Sequence, residues 1–114
     1  MSSIFTKIIN REIPSDIVYE NERIIVIKDI APKAPVHVLM IPKEEFVSLN
    51  SFEESHQLLL GELLLTAPVV AEKMGVKETG YRIIINNGDE GGQDVPHLHL
   101  HLLGGKKLEI LEKY

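Results

Sequence analysis

The sequence predicts an α+β domain built on a mainly antiparallel sheet of about five strands, with one long and one short helix covering one face. Three observations carry that expectation. Short apolar runs bounded by Pro, Gly and Asn/Asp clusters recur at strand length. One stretch, from Ser51 to about Met74, is long and apolar at helical spacing. The segment His97-Leu98-His99-Leu100-His101-Leu102 alternates strictly, the two-residue period of a strand whose imidazoles share one face and whose leucines share the other.

In chain order, Ser2 or Ser3 can cap a short helix whose apolar stripe is Ile4, Phe5, Ile8 and Ile9. Ile17–Tyr19 and Arg23–Lys28 read as a hairpin across Glu20-Asn21-Glu22. Asp29 opens the proline-bearing loop through Pro35, where an Asp ordinarily accepts backbone hydrogen bonds. A third strand, Val36–Ile41, carries His37 and would lie beside the histidine strand. Ser51-Phe52-Glu53-Glu54 has the form of a capping box for the long helix, which Gly75 closes and Pro68 should kink or divide. Residues 58–65 are apolar nearly all round, which points to a subunit interface. His56, far in sequence from the other histidines, reads as a solvated residue. Tyr81–Asn86 is the fourth strand, its triple isoleucine implying burial on both faces. The connection from Asn87 to Pro96 is glycine-rich; Gly91 and Gly92 permit a backbone-amide nest for an anion, with Asp89, Glu90 and Asp94 turned outward. Residues 106–114 form a charged and leucine-bearing tail.

Composition narrows the function. The 114 residues, 44% of them hydrophobic, suit one domain over residues 1–114. Absence of cysteine excludes disulfides, thiol catalysis and Cys-based zinc sites, and fits a reducing, cytoplasmic setting. No apolar run approaches 18 residues, so no membrane association is expected. A formal net charge of −5 offers no basic surface for nucleic acid. Any phosphate should therefore be held locally, by imidazoles and amides on a small ligand. In an extended row the outer imidazoles stand roughly 13 Å apart, too far for three to converge on one zinc without bending the strand. A row suits an extended anion better, and imidazole is nucleophilic when neutral and a proton donor when charged.

The segment GGQDVPHLHLHLLGG closely resembles the signature of the histidine triad superfamily, and specifically its Hint branch of nucleotide-binding phosphoramidases. The string HVLMIPK around His37 matches as well, and the likeness covers a core of about residues 4–105. The uridylyltransferase branch typically has Gln where this chain has His101. The resemblance implies cleavage of purine nucleoside 5′-phosphoramidates or related nucleoside monophosphate esters through a nucleotidyl-histidine intermediate. His99 would be the nucleophile, with His101, His97 and His37 assisting. It implies nucleotide binding by Asp29 (ribose), Asn86, Gly92, Gln93 and Asp94 (ribose or phosphate), and by Ile4, Phe5, Ile8, Ile27, Ile30 and Leu39 around the base. It also implies a homodimer whose sheets join edge to edge, with no cofactor and no metal. Two departures stand out: Ile27 replaces a frequent large aromatic, and Asp94 replaces a frequent hydroxyl residue. The alternatives are a dinucleoside polyphosphate hydrolase, a zinc-binding module using two of the triad histidines and His37, and a non-catalytic nucleotide sensor.

Overall fold

Ser3 opens the first helix: its hydroxyl accepts the Thr6 N–H at 3.2 Å, and α1 (Ile4–Ile9) turns Phe5 and Ile8 inward while Ile4 stays half exposed. The computed structural model describes residues 3–109, so Ser2 as a cap and the tail beyond Glu109 lie outside the described residues. β1 (Ile17–Glu20) and β2 (Ile24–Lys28) form the expected hairpin, its turn closed by Asn21 Oδ1, which accepts the N–H groups of Arg23 and Ile24 at 2.8 Å each. β3 (Val36–Pro42), α2 (Gln57–Lys73), β4 (Tyr81–Ile85) and β5 (Leu100–Gly104) complete the element order. The five strands are antiparallel throughout in the order β1-β2-β3-β5-β4, so the last strand slots between the third and the fourth.

That insertion positions the chemistry. His101 faces Leu39 across the β3–β5 ladder, and His37 lies one diagonal step away opposite Leu103. Strand alternation then sorts the side chains into two cores. Ile24, Val26, Val38, Met40, Leu98, Leu100 and Leu102 pack with Leu63, Ala67, Val70 and Ala71 of α2. Ile25, Ile27, Leu39 and Ile41 pack on the opposite face with Phe5 and Ile8 of α1. The expectation that the helices cover one face is therefore corrected. β2 reads Ile-Ile-Val-Ile because both of its faces are buried.

Five local expectations also change. The ladder of β5 begins at Leu100, and His97, Leu98 and His99 precede it without strand pairing. Pro96 cannot donate to a ladder, and the Leu98 N–H goes at 2.7 Å to the Phe46 carbonyl, beyond the end of β3. Ser51 does not start the long helix, because its hydroxyl accepts the Ser48 N–H within a 3₁₀ turn over Leu49–Ser51. A second such turn, Glu54–His56, precedes α2, which Pro68 does not divide. His56 is half buried, its ring against Phe46 and Phe52 and its Nδ1 accepting the Glu53 N–H at 3.0 Å. β4 is an edge strand, and its residues are only half buried in the single chain.

Candidate active site

The four imidazoles His37, His97, His99 and His101 gather on the α1 side of the sheet. The partners of each ring fix where its protons sit, since a backbone N–H can only donate and a carbonyl can only accept.

His97 is 1% exposed. Its Nε2–H donates to the Pro42 carbonyl at 2.9 Å, which leaves Nδ1 to accept the Ser3 hydroxyl proton at 2.8 Å. Ser3 thus caps α1 and pins the first histidine with the same oxygen. His99 donates Nδ1–H to the His97 carbonyl at 2.8 Å, so its Nε2 carries the lone pair in the neutral ring. That nitrogen lies 3.5 Å from Asp94 Oδ1, whose side chain is 76% exposed. Asp94 therefore turns toward the cluster, against the expectation that it points away; Asp89 and Glu90 are exposed as expected.

His37 accepts the Lys33 N–H at Nδ1 (3.0 Å), so in the neutral ring its proton sits on Nε2, which contacts His101 Nδ1 at 3.0 Å and Asp29 Oδ2 at 3.4 Å. His101 accepts at Nδ1 and keeps its own proton on Nε2. Burial holds all three of His37, His97 and His101 below the ordinary histidine range; the neighbouring His99 and His37 add to the effect at His101. The set is a relay of fixed tautomers rather than three free rings. The His99 and His101 ring centroids are 5.0 Å apart, and the Phe5 ring stands edge-on to His97 and His99 at 5.8 and 5.0 Å.

Phe5, Ile8, Ile27 and Leu39 are buried together beside the histidines. Ile4 and Ile30 are exposed at the margin, Ile30 by 97%. Asp29 performs the turn role its sequence context suggests, accepting the Ala31 N–H at 2.8 Å through Oδ1, while its other oxygen reaches His37. In the Asn87–Pro96 connection most polar groups are engaged locally. Asn86 Nδ2 donates to the Gly91 carbonyl at 2.8 Å, and the Gly92 N–H donates to the Asp89 carbonyl at 3.0 Å. Gln93 Nε2 donates to the Val47 and Val95 carbonyls, and its Oε1 accepts the Gly88 N–H. Gly91 is needed for space: a Cβ there would stand 2.3 Å from the Asn87 carbonyl oxygen. Gly92 is needed for conformation, with φ at +80°.

Sequence reasoning did not find the Ser3 hydroxyl, the Pro42 carbonyl or the Lys33 N–H as supports of the histidines. Ser3 was legible only as a cap, and a backbone partner leaves no side-chain signal.

The family model for the HIT domain matches residues 10–108. The chain is 46% identical over 106 residues to a purine nucleoside phosphoramidase of Escherichia coli, covering 93% of this chain and 89% of that one. It is 49% identical over 108 residues to a 14 kDa zinc-binding protein of Zea mays (93% and 84% covered). Among solved structures, a HIT family hydrolase from Clostridium thermocellum superposes with a TM-score of 0.92 at 50% identity, covering 96% of this chain and 95% of that one. An α+β sheet carrying this histidine cluster thus defines the class, and the chain belongs to the HIT domain family.

Proposed function

We propose that the protein is a nucleotide-handling hydrolase that cleaves nucleoside 5′-phosphoramidates or related nucleoside monophosphate esters through a nucleotidyl-His99 intermediate. One observation carries this reading: His99 spends its Nδ1 proton on a carbonyl, leaving Nε2 as an unprotonated nitrogen beside the Nε2–H of His101. In the first step His99 Nε2 bonds to the α-phosphorus and the bond to the leaving amine or alcohol breaks. The leaving group takes its proton from solvent while His101 Nε2–H hydrogen-bonds the leaving atom, and the His37 Nε2–H opposite His101 Nδ1 keeps the His101 proton on that outward nitrogen. In the second step water attacks phosphorus, the P–N bond to His99 breaks, and the water's proton is released to solvent, balancing the one taken up by the leaving group. His97 acts as a support: its carbonyl orients His99 while its own ring is locked by Ser3 and Pro42.

The base lies against Phe5, Ile8, Ile27 and Leu39, with Ile4 and Ile30 at the rim, and a purine fits so apolar a surface. The ribose hydroxyls go to Asp29, whose oxygens retain acceptor capacity. Asn86, Gly92 and Gln93 shape the phosphate loop, and their N–H donors contact the ligand by exchanging carbonyl partners for ligand oxygens. The protein works as a homodimer in the cytoplasm, and exposed Leu58, Leu64, Leu65 and Val69 on α2 supply apolar surface for the partner.

Rapid quenching of a mixture with an adenosine phosphoramidate, followed by mass spectrometry, tests the chemistry. The expected result is a nucleotidyl adduct on His99 that disappears in His99→Ala together with hydrolysis. Hydrolysis persisting in His99→Ala would remove the nucleophile assignment.

A second reading has its own observation. Asp29, His37 and His101 each offer a ligand atom, all within 4.8 Å of one another, and the 3.0 and 3.4 Å separations suit adjacent corners of a zinc tetrahedron. These residues fit a zinc ion better than a pair of triad histidines with His37, because His97 and His99 are tied to carbonyls. Zinc there would replace the proton between His37 and His101. Stoichiometric zinc in purified protein, lost in His37→Ala, would favour this reading over hydrolysis.

A further inference from the structure

We infer that Asp94 makes the site selective for charge, disfavouring a doubly charged phosphate monoester relative to a singly charged phosphorus ester of the same shape. The inference rests on the nucleotide-site reading above, and it concerns one carboxylate that the reaction does not need.

Its basis is position. Asp94 Oδ1 stands 3.5 Å from His99 Nε2, the nitrogen to which phosphorus must come. A phosphorus atom poised for attack lies roughly 3 to 3.5 Å from that nitrogen, so its nonbridging oxygens fall within about 3 to 6 Å of the carboxylate. The surroundings do little to offset this negative charge. Among the described residues no lysine or arginine side chain hydrogen-bonds any of the four imidazoles. Among the described residues, the other side-chain charges acting on His37, His97 and His101 are Asp29 on His37 and His101, Glu45 on His97, and one cation, Lys33, on His37.

A site so poor in cations tolerates one phosphate charge and resists a second. A nucleoside phosphoramidate or ester has one ionised oxygen. The nucleoside monophosphate released from it has a second ionisation near pH 6, and so carries nearly two charges at pH 7.5. Each additional unit charge about 5 Å from Asp94 in a largely aqueous setting weakens binding roughly fourfold, and salt reduces the effect. Substrate and product are thereby told apart by charge alone, and the product leaves the more readily for it.

Calorimetric titration of the whole protein at pH 7.5 with two probes of matched size tests this. The probes are adenosine 5′-monophosphate and adenosine 5′-methylphosphonate, in which a methyl group replaces one oxygen and removes one charge. Asp94→Asn should tighten the singly charged methylphosphonate roughly fourfold and the doubly charged monophosphate roughly 15-fold at low salt, so that the ratio of the two affinities changes roughly fourfold, with the difference shrinking near 1 M salt. Asp94→Glu, which keeps the charge, should hold the wild-type ratio of the two affinities. Equal tightening of both probes in Asp94→Asn, or an unchanged ratio, would overturn the proposal while leaving the nucleotide site standing. Failure of the wild-type protein to bind either probe would overturn both.

Discussion

At the scale of single residues, each histidine's task is set by what its second nitrogen touches. His97 and His99 spend one proton each on a carbonyl, at Pro42 and at His97 itself, and this separates a locked ring from a reactive one. Ser3→Ala removes the cap of α1 and leaves a buried His97 nitrogen unpaired. It should cost about 2 to 3 kcal/mol in urea denaturation, with Ser3→Thr recovering much of the loss. The buried imidazoles also set a pH dependence. His37, His97 and His101 titrate lower folded than unfolded, so below the ordinary histidine value of 6.5 the unfolded chain binds more protons. Stability should therefore be full above about pH 7 and fall as the pH drops through 6.5 toward the folded values. Thermal melts from pH 8 to pH 5 check this, and His97→Gln should show a shallower slope.

At the scale of elements, the loop from Asn86 to Val95 and the pairing of β3 with β5 decide whether the rings meet. The loop holds itself through Asn86, Gln93 and the Gly92 N–H, and Gly91 lets the chain pass against Asn87. Gly91→Ala forces that backbone apart. Phosphoramidate hydrolysis should fall between about 10- and 100-fold, while the melting temperature moves little because the loop is exposed. The elements also show how far the sequence could be read. The short cap, the hairpin, the third strand and the closing Gly75 were legible because each has a local cause in Ser3, Asn21, an apolar run and a positive φ. The start of α2 was not, because the Ser51 hydroxyl accepts the Ser48 N–H instead of an N–H of the helix terminus. His56 misled for a similar reason: only the folded turn brings Phe46 and Phe52 against it.

At the scale of the whole molecule, a sheet buried on both faces explains why β2 and β3 carry unbroken apolar runs while β4 at the edge is half exposed. Among the described residues no helix is long and apolar enough to cross a membrane, and α2 exposes Leu58, Leu64, Leu65 and Val69. With the proposed homodimer, sedimentation should give twice the 12.8 kDa chain mass, and Leu64→Glu combined with Leu65→Glu should return it to the single-chain value without unfolding. A wild-type mass of one chain would remove the dimer.

What the sequence determined by itself is the alternation that sends Leu98, Leu100 and Leu102 inward and leaves three histidines for the other face, together with the residue types a phosphate chemistry requires. Those are consequences of periodicity and side-chain chemistry, which are local. Only the tertiary structure decided that β5 enters between β3 and β4, that His37 meets His101 and Asp29, and that Ser3 reaches His97. The His37–His101 and Ser3–His97 contacts join residues 64 and 94 positions apart, and a ring's proton follows its partner, so the reactive nitrogen is defined only once the chain has folded.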